Sequence, residues 1–356
     1  MLTALLALPV LLAGLAVLFW TTDGPQARSA ESHLATTPVP KLIVDLHCDT
    51  LNKLRLNGGE LAANPRLQVD LERLAAAGLN GQVFMSWSST QSIRGGFSWK
   101  VILAQLDIFD AQSAASNGRL RLVRNAVELD NTLREGRIAA FLGLEGAYCL
   151  EDDLGRLEQL AQRGVRIVGP VWNHHNDFCD SATQSPPRWN GLSPLGNELV
   201  ARCNELGLLI DAAHAAPQTI ADILEQSSDP IIDTHSACRA LCDHPRNLSD
   251  EQIRTICGRG GVVGVLFHSP HLVKGRRATL EDVLDHIEHV VQVGGVQCAA
   301  IGSDFDGNIV AAKGLEDVSR RPELLRGLQN RGYSDEQLAL IAGGNFARVF
   351  RQVCDK

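Results

Sequence analysis

Eight short, strongly apolar runs recur along the chain: 42–46 (LIVDL), 79–86 (LNGQVFMS), 138–144 (IAAFLGL), 165–171 (VRIVGPV), 207–213 (GLLIDAA), 230–234 (PIIDT), 261–267 (GVVGVLF) and 298–303 (CAAIGS). Runs this short and this apolar predict strands buried on both faces. The segments between them carry helix signals. Ser249-x-x-Gln252 and Ser334-x-x-Gln337 read as capping boxes, Thr279 precedes LEDVLDHIEHVVQ, and Gly164, Gly207 and Gly294 stand where helices should stop. Strand and helix alternating eight times predict an α/β chain folded as a (β/α)8 TIM-type barrel, with residues 309–356 supplying additional terminal helices. The alternative, a doubly wound open sheet, lacks its phosphate loop: no GxGxxG follows the first run and no GxxxxGK[ST] occurs anywhere.

Residues 2–20 are apolar and uncharged, so residues 1–22 are read as a signal peptide or membrane anchor and set apart from the fold. The stretch is longer than a signal-peptide core of about 7–15 residues and reaches the roughly 17–25 that span a bilayer. No Lys or Arg precedes it, and ARSA at 27–30 is a poor cleavage site, which favours an anchor in contact with a membrane. Residues 23–40 read as a linker and 41–356 as the barrel. Cleaved or not, the segment predicts an exported protein, on the periplasmic or extracellular face.

Charge and composition narrow the partners. With 33 basic against 41 acidic residues, a formal charge of -8 and no basic run, the chain has no surface suited to a phosphate backbone. At 5% aromatic residues a stacking platform for single strands is also excluded. Nine cysteines without CxxC pairing form neither a zinc ribbon nor a disulfide framework, and most are expected to be small buried hydrophobes. Export leaves room for a bridge or two, which spacing does not assign.

The candidate chemistry lies at the ends of the runs. His47, Asp49, Glu145, His214 and His235 each follow one, and the C-terminal strand ends are where barrels of this kind carry their active sites. Alternation puts His47 and Asp49 on one face of the first strand with Cys48 on the other. A single histidine after a strand is more often structural than a ligand; five donors at equivalent positions shift the odds. Imidazole and carboxylate donors without thiolate suit a divalent ion, zinc first, with cobalt or manganese as substitutes. Five are too many for one open catalytic zinc and suit two ions, with Glu145 bridging and a hydroxide held between ions about 3.5–4 Å apart. Asp304, in IGSDFDG, is a sixth acid aimed at the same mouth, free to act as base and acid. His33, His268, His271, His286 and His289 show no convergent partners and receive no role.

Several stretches together resemble the membrane (renal) dipeptidase family, zinc dipeptidases of the amidohydrolase-type barrels. They are DLHCDT (45–50), LEG (144–146), GLSPLGNELVARCNELGLLIDAAH (191–214), THS (234–236), CDHPRNLSD (242–250), IGSDFDG (301–307) and GGNFARV (343–349). The resemblance spans about residues 43–350. It implies two Zn2+ ions per chain, one held by His47, Asp49 and Glu145, the other by Glu145, His214 and His235. It further implies that Arg246 binds the free carboxylate of a dipeptide, and that Asp304 carries a proton from the bridging water to the leaving amine. Tolerance of a D-residue on the C-terminal side and a homodimer are also implied. One position departs from the mammalian pattern: where those enzymes carry a histidine assigned to polarising the scissile carbonyl, this chain has Trp172, within VWNHHND. His174 or His175 is then expected at the substrate. The expected function is a metal-dependent dipeptidase. The alternatives are an amidohydrolase acting on another small amide or N-acyl amino acid, and an exported metal-binding protein without catalysis.

Overall fold

The computed structural model describes residues 42–355; the segment at 1–22, the linker at 23–40 and His33 lie outside the described residues. Among the described residues there are nine strands: β1 Val44–Cys48, β2 Gly81–Trp87, β3 Leu120–Leu122, β4 Ile138–Glu145, β5 Val165–Gly169, β6 Leu209–Ile210, β7 Ile232–Ser236, β8 Val262–Val265 and β9 Ala299–Ile301. Every ladder is parallel. All eight apolar runs contain a strand. The unexpected one, β3, is three residues long and carries Arg121 at its centre, too short and too polar to stand out. It pairs with Ile138–Ala140 of β4, below the stretch where β5 takes over from Leu142.

The strands follow one another around a (β/α)8 barrel. Its ladder is interrupted at two seams, so that β1-β2-β4-β5-β6 form one sheet and β7-β8-β9 the other. Single parallel bridges cross the seams, Asp211 to Ile232 and Cys48 to Phe305. At the first, the Ala212 N–H donates to the Ile232 carbonyl at 2.7 Å; at the second, the Asp49 N–H donates to the Phe305 carbonyl at 2.8 Å. The buried Arg321 is paired with Asp45 of β1, whose carboxylate also accepts the Ser303 N–H at 2.9 Å, fastening the second seam from inside.

Apolar side chains fill the barrel beneath its C-terminal rim. Val44, Leu46, Val83, Met85, Phe141, Ile167 and their neighbours form an interior cluster that the helix Asn345–Cys354 joins from the other end. That helix carries Phe346, Val349, Phe350 and Val353 at spacings that share one face. The rings of Phe346 and Phe350 meet Phe141 edge-on, with centroids at 5.0 and 4.9 Å, an arrangement that favours positive ring edge against negative face. A second, larger cluster joins the outer faces of the strands to the helices around them. The helix Asp250–Gly258 is tied to the segment before β9 by a Cys257–Cys298 disulfide, and the other seven cysteines are free and buried. No helix among the described residues is long and apolar enough to cross a membrane.

The floor and the rim are therefore separable. Phe350→Ala removes a fully buried ring and should lower the unfolding free energy by about 3–5 kcal/mol, measured by urea denaturation. Metal affinity at the opposite end should be unchanged in the same variant.

Candidate metal centre

The strand ends deliver the donors to one place. His47 lies in β1, Glu145 ends β4, His235 lies in β7, and Asp49, His214 and Asp304 stand just past β1, β6 and β9. The ladders shift register beside them, between Asp45 and Cys48 and between Asp233 and Ser236. Such irregularities re-aim side chains at a barrel rim. His214 and Asp304 both adopt left-handed backbone, with φ of 69 and 64. That conformation is costly for residues with a Cβ and persists where the surroundings enforce it, as at functional sites. Gly307 completes the cradle: a Cβ there would lie 2.4 Å from Asp304 Oδ1 and 2.7 Å from Asp49 Oδ2.

Glu145 is the centre. Its Oε1 lies 2.9 Å from His214 Nε2, 3.5 Å from His235 Nε2 and 3.8 Å from His47 Nε2, and His47 Nε2 is 3.8 Å from Asp49 Oδ1. Two three-donor groups result, His47–Asp49–Glu145 and Glu145–His214–His235, with donor atoms in each within 4.8 Å of one another. All five side chains are buried. Two of their polar atoms, His47 Nε2 and Asp49 Oδ1, make no hydrogen bond at all. The Nε2 atoms of His214 and His235 face each other at 3.0 Å, where two lone pairs repel unless a cation or proton lies between. Carboxylates and imidazoles orphaned at this spacing fit a divalent metal centre.

The electrostatics agree. Burial pushes the Glu145 carboxyl well up, opposed by His47 and reinforced by Asp49 and Asp304. Burial drives His214 and His235 well down. His47 moves the other way, up to about 10: burial would lower it, but the adjacent Asp49 carboxylate and the charges of Glu145 and Asp304 overcome that. Asp304 is pushed up by burial and by Asp49, against the pull of His47. A set of acids this crowded is short of positive charge.

Four of the donors, Asp49, Glu145, His214 and His235, line the floor of a cavity of about 590 Å³. Arg246, 4% exposed, enters it beside His235, its Nη2 donating to the His235 carbonyl at 3.1 Å while Nε has no partner. His174 also lines the cavity, with Nε2 3.0 Å from Thr90 Oγ1. His175 does not, contrary to the expectation that it could serve substrate. Its ring is held outside by the Ser181 N–H at Nδ1 and the Pro186 carbonyl at Nε2. Trp172 packs against Trp87 with the rings tilted, and the next residue, Asn173, reaches the floor, where its Oδ1 lies 2.9 Å from His214 Nδ1.

Among the cavity residues to which the sequence assigned no role are Asn173, His244, His268 and His271. Asn173 has no motif of its own. His244 lies in the loop after β7, stacked on His271 with centroids 4.0 Å apart. His268 and His271 follow β8, so the rule that found His214 applied to β8 would have found them too. His286 is a structural residue, bonded to the Cys238 N–H and the Leu272 carbonyl.

A barrel with a buried carboxylate–imidazole cluster on its C-terminal rim is the frame of a metal-dependent hydrolase. The chain belongs to the membrane dipeptidase family, peptidase family M19, whose family model matches residues 35–356, and that family makes it by class a metallo-dipeptidase. It is 31% identical over 347 residues to an uncharacterized dipeptidase of Schizosaccharomyces pombe, covering 91% of this chain and 83% of that one. It is 34% identical to dipeptidase verJ of Clonostachys rogersoniana, over 72% of this chain and 66% of that protein. Among solved structures, a metallopeptidase from Rhodobacter sphaeroides bound to a phosphinate mimic of L-Ala-D-Ala superposes with a TM-score of 0.82 at 26% identity. The match covers 88% of this chain and all (100%) of that one.

Metal should register as stability. Zinc at about 100 times its dissociation constant adds roughly 2.7 kcal/mol to the folded state, seen as a rise in Tm of metal-free protein. Glu145→Gln should abolish most of that rise, because both donor groups use the same carboxylate, whereas His174→Ala should leave it intact.

Proposed function

We propose that the protein is a dizinc dipeptidase that cleaves free dipeptides, including those with a D-residue on the C-terminal side. The observation that carries this reading is one buried carboxylate, Glu145, shared by two donor triads at the base of a cavity that a buried guanidinium also enters. His47, Asp49 and Glu145 would hold one ion, and Glu145, His214 and His235 the other. When bound, the ions supply an acidified water and a Lewis acid for the scissile carbonyl.

The chain's own residues do the rest. Arg246 offers a planar fork whose Nε is unused by the protein, matched to the free carboxylate of a dipeptide. Asp304, with its pKa raised, can take the proton of the attacking water and return it to the leaving nitrogen. Asn173, with Oδ1 turned to His214, has its amide N–H groups available to the cavity, and is the better candidate than His175 for the role opened by Trp172. The L-Ala-D-Ala mimic in the Rhodobacter sphaeroides structure supports tolerance of a D-residue. The Cys257–Cys298 bond supports export to an oxidising compartment.

Free L,L and L,D dipeptides should be hydrolysed, lost on chelation and restored by zinc, while C-terminally amidated dipeptides are poor substrates. Arg246→Met should raise KM for free dipeptides far more than it lowers kcat. Asp304→Asn should cut kcat by about 10²- to 10⁴-fold with zinc content retained. Equal turnover of amidated and free dipeptides would sink the carboxylate role of Arg246 and favour an amidohydrolase of broader range. For export, the chain should be recovered in the secreted or periplasmic fraction and there, denatured without reduction, titrate seven thiols, the number left free by one bridge; recovery in the cytosolic fraction would contradict export, and nine thiols would contradict the bridge.

A further inference from the structure

Two of the clustered imidazoles turn their other ring nitrogens to a single hydroxyl. Thr234, fully buried in β7, has Oγ1 3.1 Å from His47 Nδ1, 2.9 Å from His235 Nδ1 and 2.6 Å from Asp211 Oδ2. Asp211 is also buried, and its Oδ1 accepts the backbone N–H groups of Ala213 at 3.0 Å and Thr234 at 2.9 Å. A carboxylate surrounded by donors offers acceptors only, so the one proton of the hydroxyl goes to Asp211. Oγ1 is left with two lone pairs, and two imidazole nitrogens are in reach. Both must then arrive as N–H donors. A neutral ring protonated on Nδ1 carries its lone pair on Nε2, and both Nε2 atoms face Glu145.

We propose that Thr234, held by Asp211, is a positioning residue that sets the tautomers of His47 and His235 together, so that one hydroxyl governs both metal positions. The proposal rests on the dizinc reading above. His47 belongs to one donor triad and His235 to the other, so Thr234 is common to both, as Glu145 is on the opposite side of the rings. Asp211, His47 and His235 also lie close enough to form a third donor group, but the Thr234 hydroxyl fills the space between them. His214 is served separately by Asn173 and provides an internal control. The position of Thr234 is fixed by close packing: a Cβ at Gly264 in β8 or at Gly302 past β9 would come within 2.2 or 1.7 Å of its carbonyl oxygen.

The test is zinc affinity of metal-free protein, measured by competition with a chromogenic chelator, with the absorption spectrum of the cobalt-loaded form as a second readout. Thr234→Val keeps the shape and removes the hydroxyl; Thr234→Ser keeps the hydroxyl. Wild type and Thr234→Ser should each bind two ions with similar affinity. Thr234→Val should weaken both by about 10- to 100-fold, the usual effect of losing a partner behind the ligands, and change the cobalt spectrum. Asn173→Ala should weaken one ion only. Should Thr234→Val not unfold cooperatively without metal, Asp211→Asn carries the test: its amide would take one Oγ1 lone pair and release one imidazole, so in that variant one ion should weaken, and wild-type affinity at both sites would overturn the proposal. Wild-type affinity at both sites in the folded Val variant, or loss at one site alone, overturns the proposal and leaves the dizinc reading standing. A wild-type chain that binds fewer than two ions overturns both.

Discussion

Burying Glu145 among three imidazoles and beside two further acids is the constraint around which the structure is arranged. A lone buried carboxylate is expensive and relieves itself by taking up a proton, and its raised pKa expresses that cost. Imidazole Nε2 atoms and the Asp49 carboxylate turned toward it leave an excess of lone pairs: Arg246 answers that of His235, but His47 Nε2 and Asp49 Oδ1 have no donor. Positive charge from outside resolves the excess. The rim irregularities, the left-handed backbone at His214 and Asp304 and the small residue at Gly307 all serve to hold those lone pairs in one place.

The remainder of the molecule keeps that frustration affordable. An apolar interior closed by Phe346 and Phe350 supplies stability at the end of the barrel away from the chemistry. The polar rim can then carry strain and unsatisfied groups, because the floor does not depend on them. This separation of a stabilising face from a reactive one is general to barrels of this class. Here it is visible within single strands: β4 runs from Phe141 in the floor to Glu145 at the metal centre in four residues.

Much of this was legible in the sequence because barrel strands announce themselves twice, by apolar runs and by the reactive residue that ends each. All eight apolar runs became strands, and His47, Asp49, Glu145, His214 and His235 converge in space. What stayed hidden depends on geometry between distant segments. Asn173 is an ordinary loop residue until the turn, whose Trp172 N–H donates to the Tyr148 hydroxyl and whose Trp172 ring packs on Trp87, brings it to His214. His175 looked equivalent to His174, yet one residue further along the loop its ring meets Pro186 and Ser181 instead of the cavity. The β3 strand exists only because β4 offers an edge below β5, and the Cys257–Cys298 pair only because a helix packs against the approach to β9.

The two seams give the metal centre a mechanical meaning. His214 stands at the end of one sheet and His235 in the first strand of the other, separated by a seam with a single bridge; His47 and Asp304 flank the second seam in the same way. Of the two donor triads only Glu145–His214–His235 spans both sheets, so an ion held there would cross-link them at the first seam, where backbone pairing is thinnest. A seam that the backbone closes with one bridge would then be closed a second time, through side chains.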